Sequence, residues 1–121
     1  MGNPVVHFEI MTEGAAALRD FYANAFNWES HAASAPAGVD YATIHNESGV
    51  DGGIGEVPEG YDGHVTFYVG VPSVEAALAK IEQLGGTRMI GPDQVPGGPV
   101  IGLFRDPHQH LIGLVQTPGI G

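Results

Sequence analysis

Two stretches of this chain run in the same frame. One opens at His7 in Val-Val-His-Phe-Glu-Ile and reaches Ile54-Gly55. The other opens at His64 in Gly-His-Val-Thr-Phe-Tyr-Val and reaches Ile112-Gly113. His7 to Gly55 is 48 positions and His64 to Gly113 is 49. Phe21 and Leu78 each fall 14 positions after their histidine. Each half is too small to hold a good core alone, so a repeat of this kind points to two like units within one domain spanning 1–121.

The local patterns agree with the repeat. Residues 4–11 alternate as a strand, with Val6, Phe8 and Ile10 on one face and Val5, His7, Glu9 and Met11 on the other. Thr12 offers an N-cap to a helix over roughly 14–26, whose apolar stripe is Leu18, Phe21, Tyr22 and Ala25. Asn27-Trp28 ends it, and strands are expected over 39–45 and 50–57. After a loop from Pro58 to Gly63 the pattern restarts. Val65, Phe67 and Val69 share one face of a strand over 64–71, and His64, Thr66 and Tyr68 share the other. Ser73 caps a helix with the stripe Val74, Ala77, Leu78, Ile81 and Leu84, and Gly85-Gly86 stops it. Strands follow near 87–90, 99–105 and 110–116, with a turn at Asp106-Pro107-His108-Gln109. The expected class is therefore α+β, each half reading strand, helix, then three strands, about 4–57 and 64–116. The faces carrying His7, Glu9, His64 and Tyr68 point away from the helices and are the expected walls of a cavity.

Charge narrows the partners. Fourteen acidic residues against four basic ones give a formal charge of −10, which repels a nucleic acid or phosphate-rich partner and suits a neutral or cationic ligand. No apolar run approaches the ~20 residues of a membrane span. The N-terminus lacks the basic and then apolar segments of a signal peptide, so the cytoplasm is the expected location. Without cysteine there is neither a disulfide framework nor a thiolate metal site.

In this order and spacing, several pieces resemble the vicinal oxygen chelate superfamily, the glyoxalase/bleomycin-resistance/dioxygenase group. They are Leu18-Arg19-Asp20-Phe21-Tyr22 after His7, Gly63 to Val69, Val74-Glu75-Ala76-Ala77-Leu78, and Phe104 to Leu114. The resemblance implies paired βαβββ modules forming a cupped mixed sheet, commonly in a homodimer. It does not imply one activity, since this scaffold carries isomerases, lyases, dioxygenases and drug-binding proteins. It also implies a divalent metal held by first-strand histidines and last-strand carboxylates. His7 and His64 match the histidine positions, but the carboxylate positions align with Gly55 and Gly113.

Two imidazoles alone hold a divalent ion poorly. Glu9, Glu56, His45, His108 and His110 are the residues that could substitute, the last two more simply read as turn residues. Glycine at 55 and 113, with Gly52, Gly53 and Gly102 nearby, would instead admit a flat ligand close to the backbone. Aromatic side chains at Trp28, Tyr41 and Tyr68 suit such a ligand. The expectation is a metal-independent binding protein with no cofactor, sequestering a hydrophobic or aromatic small molecule, an antibiotic among the possibilities. Its ligand-binding set is His7, Glu9, Trp28, Tyr41, Gly55, His64, Tyr68, Leu111 and Gly113. The alternative is a divalent-metal-dependent lyase, isomerase or dioxygenase using both histidines with a substitute carboxylate.

Overall fold

The alternation read in the first strand is realised in β1 (Val5–Thr12), where Phe8 and Ile10 turn inward. In the computed structural model, residues 2–33 and 40–117 are described. Residue 39, the expected first residue of its strand, lies outside them. The order continues as α1 (Ala15–Phe26), β2 (Ser30–Ala32), β3 (Tyr41–Ile44), β4 (Gly52–Glu56), β5 (His64–Val71), α2 (Val74–Gln83), β6 (Thr87–Gln94), β7 (Val100–Arg105) and β8 (Leu111–Gln116). The class is α+β, and each half is βαβββ. The sequence reading had named only two strands after α1; the third is β2, three exposed residues with no alternation to betray it.

The chain divides into two compact units, His7–Val65 and the remainder, with the cut inside β1 and β5. In the His7–Val65 unit the strand order is β2-β3-β4-β1. β1 and β4 are parallel, and the other pairs are antiparallel. Ala15, Ile44 and Ile54 form its core, with Phe8, Ile10, Leu18, Tyr22 and Trp28 packed around them. In the second unit β5 and β8 are parallel, and β7 and β6 continue antiparallel from β8. Its core is Val71, Val74, Leu78 and Leu114. Ile44, Ile54, Leu78 and Val74 are fully buried, each contributing roughly 1.5–3 kcal/mol.

The register carries the repeat into three dimensions. Met11, four residues after His7, pairs with Gly55. Tyr68, four residues after His64, pairs with Gly113. The two glycines therefore occupy equivalent places on equivalent parallel strand pairs.

Several local expectations are corrected. Thr12 does not cap α1: the N-cap is Gly14 in the left-handed region, and the Thr12 hydroxyl donates to the Glu13 carbonyl. The cap comes from a distant carboxylate instead, since Glu56 accepts from the Gly14 and Ala15 backbone N–H groups at 3.1 and 3.0 Å. A carboxylate at a helix N-terminus satisfies donors that the helix leaves unpaired. We expect Glu56→Ala to cost about 0.5–2 kcal/mol in chemical denaturation. In α1 the stripe that packs on the core is Ala15, Leu18 and Tyr22, whereas Phe21 is 59% exposed because it sits about 90° round the helix from that stripe's centre. Leu84 lies past the end of α2 and is exposed, so it leaves that helix's stripe. In β5 the polar face is the buried one at Thr66 and Tyr68, while Val65 and Phe67 are exposed. The Thr66 hydroxyl is satisfied there by the Leu111 carbonyl at 2.6 Å.

Candidate functional site

Four of the expected residues meet in the His7–Val65 unit. Period-two geometry puts His7 and Glu9 on one face of β1. Tyr41 opens β3, which is separated from β1 by β4. Its hydroxyl nevertheless donates to Glu9 Oε1 at 3.2 Å and lies 3.0 Å from His7 Nε2. His64 Nε2 lies 2.8 Å from Glu9 Oε2. The result is a continuous string, His7–Tyr41–Glu9–His64.

Glycine makes the crossing possible. Tyr41 must span β4, and neighbouring strands lie about 4.8 Å apart. A Cβ at Gly53 would fall on the Tyr41 hydroxyl and ring. One at Gly55 would stand 2.6 Å from Tyr41 Cδ2. Gly53 and Gly55 share the face over which the ring lies, and a side chain at either would push it away. The expected room for a flat ligand beside Gly55 is thus filled by a side chain of the protein itself. The second unit repeats the device: a Cβ at Gly113 would come 2.5 Å from Tyr68 Cδ2, and Tyr68 is only 6% exposed. Gly52 and Gly102 likewise receive Phe8 and the Val74–Leu78 side of α2, rather than widening a cavity.

Donor directions follow from the network. Tyr41 has one proton, given to Glu9, so His7 must donate from Nε2 to the phenolic oxygen. Burial raises the Tyr41 hydroxyl well above its ordinary pKa, reinforced by the Glu9 charge and hydrogen bond, so it stays a phenol. A carboxylate only accepts, so His64 also donates from Nε2. Burial lowers the His7 pKa, against the opposing pull of Glu9 and Asp51, and His7 is neutral at pH 7.

The sign of the His7 effect is testable. Its folded pKa lies below its unfolded one, so its contribution to stability is complete above the unfolded value of about 6.5. It is lost as pH falls from there through the folded value. Thermal melts at pH 7.5 and 5.5 should show a larger fall for the wild type than for His7→Gln.

The remaining candidates lie elsewhere. Trp28 packs against Phe8, Tyr22 and Phe26 with ring centroids 5.2, 5.1 and 5.4 Å away. It also lines an open cleft of about 480 Å³ with Arg19, Asp20, Glu29 and His31, which shares no residue with the string. Leu111 opens β8 in the second unit. His108 and His110 sit in the turn before β8, where the Asp106 carboxylate accepts from their backbone N–H groups at 2.8 and 3.0 Å. That carboxyl is held below its ordinary pKa, chiefly by the His110 backbone N–H. His45 pairs with Asp51 at 3.3 Å. Sequence reasoning had not singled out Thr66 as a structural donor or Arg19, which pairs with Asp40 at 3.1 Å and donates to the Ile54 carbonyl at 3.1 Å.

The donor set does not fit the divalent ion implied by the resemblance. Both histidine Nε2 atoms are engaged in the string, and tyrosine rings cover the two glycines. Glu56, one substitute carboxylate, is committed to capping α1. Among the described residues no three His, Asp or Glu side chains are grouped to hold a metal. No helix among them is long and apolar enough to cross a membrane.

Comparison with known proteins agrees with the fold. None of the curated proteins is similar in sequence. A hypothetical protein from Bacillus halodurans C-125 is 13% identical with a TM-score of 0.75, covering 100% of this chain and 99% of that one. A methylmalonyl-CoA epimerase in complex with methylmalonyl-CoA and NH4+ is 19% identical, with a TM-score of 0.69 and coverage of 98% and 96%. A Streptomyces coelicolor methylmalonyl-CoA epimerase in complex with 2-nitronate-propionyl-CoA is also 19% identical, with a TM-score of 0.68 and coverage of 97% and 96%. Residues 6–115 match the model of the glyoxalase-like domain, and the chain belongs to that family, within the vicinal oxygen chelate superfamily.

Proposed function

We propose that this chain is a metal-independent, small-molecule-binding member of the glyoxalase-like family. The carrying observation is that Gly55 and Gly113 lie beneath the rings of Tyr41 and Tyr68, where a coordinating side chain would have to displace them. The ligand is a hydrophobic or aromatic small molecule, for which tyrosine and tryptophan faces are good partners. In the first unit His7, Glu9, Tyr41 and His64 are the proposed binding residues, with Gly55 beneath the Tyr41 ring and Trp28 in a separate cleft; Leu111 is added from the second unit, where Gly113 lies beneath Tyr68. The part-buried Tyr41 ring presents the surface that the bare Gly55 does not, whereas Tyr68 is buried over Gly113. Sequestration of such a compound, an antibiotic included, is the cellular role this supports, in the cytoplasm.

A homodimer accompanies this reading. Phe21, Phe26 and Val65 in one unit and Phe67, Met89 and Ile90 in the other leave large apolar surfaces in water. Light scattering on the purified protein should give twice the chain mass of 12.6 kDa.

One observation favours a second reading. His64 oriented by Glu9 is an arrangement that general bases use, and the epimerases of similar fold are enzymes. Native mass spectrometry with metal analysis, on protein purified from its own host, tests the choice. A bound organic compound without stoichiometric metal supports binding. One tightly held metal per site, required for turnover, refutes it.

A further inference from the structure

Charge is unevenly shared between the two units. Ten of the fourteen carboxylates fall within His7–Val65, where Arg19 is the only lysine or arginine, giving a formal −9 out of −10. The three remaining basic residues, Lys80, Arg88 and Arg105, offset all but one of the carboxylates in the rest of the chain. Arg19 is not available to an anionic ligand, because its guanidinium is occupied by Asp40 and the Ile54 carbonyl. The carboxylate string sits inside this negative field.

The string has a definite polarity. Tyr41 and His64 both give their protons to Glu9, and His7 gives its own to Tyr41. Glu9 is 12% exposed and His64 is 23% exposed, so the imidazole lies nearer solvent and the carboxylate behind it. With its imidazoles neutral, the string's one formal charge is the Glu9 carboxylate, and no lysine or arginine is part of it. A metal-centred site presents positive charge to the oxygens of its ligand; here neutral His64, with its Nε2–H given to Glu9, keeps Nδ1 as an acceptor backed by a carboxylate.

We infer that the His7–Tyr41–Glu9–His64 site takes its ligand through a cationic hydrogen-bond donor, a protonated amine on an aromatic or hydrophobic body, and rejects carboxylates and phosphates. The inference rests on the binding reading above and specifies its ligand class. It separates this chain from the epimerases of similar fold, one of which was solved with methylmalonyl-CoA, an anionic ligand.

Three probes of similar size test it by calorimetry and NMR titration: benzylammonium, benzyl alcohol and benzoate. Benzylammonium should bind at least about tenfold more tightly than benzyl alcohol, with benzoate weakest. Glu9→Gln should remove most of that preference, with shifted resonances confined in the wild type to the string residues and their neighbours. Raising salt from roughly 20 to 500 mM should shrink the preference in the wild type, a readout that does not depend on a folded variant. Equal affinity for the amine and the alcohol, or a preference for benzoate, overturns the charge inference and leaves the binding reading standing. A preference unchanged in a folded Glu9→Gln protein, or mapped to the Trp28 cleft, also overturns it. Failure of all three probes to bind counts against both.

Discussion

Gly113→Glu should destabilise the protein by about 1–3 kcal/mol or more, without creating a tight metal site. The substitution restores the carboxylate that the superfamily resemblance implies, so its failure to recruit metal is informative. Its Cβ would stand 2.5 Å from the Tyr68 ring, and Tyr68 is nearly fully buried. The ring has no inexpensive place to go. Gly55→Glu should behave likewise, because the new Cβ meets Tyr41 Cδ2 at 2.6 Å, Met11 Sδ at 3.0 Å and the Asp40 carbonyl at 3.1 Å. Tyr41→Ala should partly rescue Gly55→Glu, since it clears the ring from that space. Urea denaturation of the single and double variants measures the coupling, expected at about 0.5–3 kcal/mol.

Glu9→Ala is the second change with a large expected effect. It removes the acceptor of both Tyr41 and His64 at once. Two half-buried donors lose their partner, and stranding such groups costs more than a hydrogen bond contributes on average. The expected loss is about 2–4 kcal/mol. Glu9→Gln retains one acceptor oxygen and should lose roughly half as much. A chemical melt of the three proteins at pH 7.5 measures this ordering. If Glu9→Ala were as stable as the wild type, the string would not be a structural unit.

The repeat was the most legible part of the chain. Period-two alternation in β1 and β5 and the capped stripe of α2 are local patterns, and they led directly to βαβββ in duplicate. The matched pairing of Met11 with Gly55 and Tyr68 with Gly113 shows that the spacing encodes real register. What local pattern could not reveal was long-range. The cap on α1 comes from Glu56, 42 positions beyond Gly14. β2 is too short to show a period.

The site was half legible for the same reason. His7, Glu9 and His64 stood out from strand faces and the repeat. Tyr41 was expected only as an aromatic partner for a flat ligand, and its reach across β4 depends on what Gly53 and Gly55 lack. Those glycines were read as space for a ligand, whereas the structure uses that space for tyrosine. The alternation in Gly52-Gly53-Ile54-Gly55 puts Gly53 and Gly55 on one face, the one signal that could have suggested a ring laid across them.

The most direct test of metal independence is calorimetric titration of Zn2+, Co2+, Ni2+ and Mn2+ into the wild type, His7→Ala and His64→Ala. The wild type should show no submicromolar site, and the three proteins should not differ in whatever weak binding the exposed histidines contribute. One equivalent of tightly bound metal per chain, lost in either variant, would contradict it.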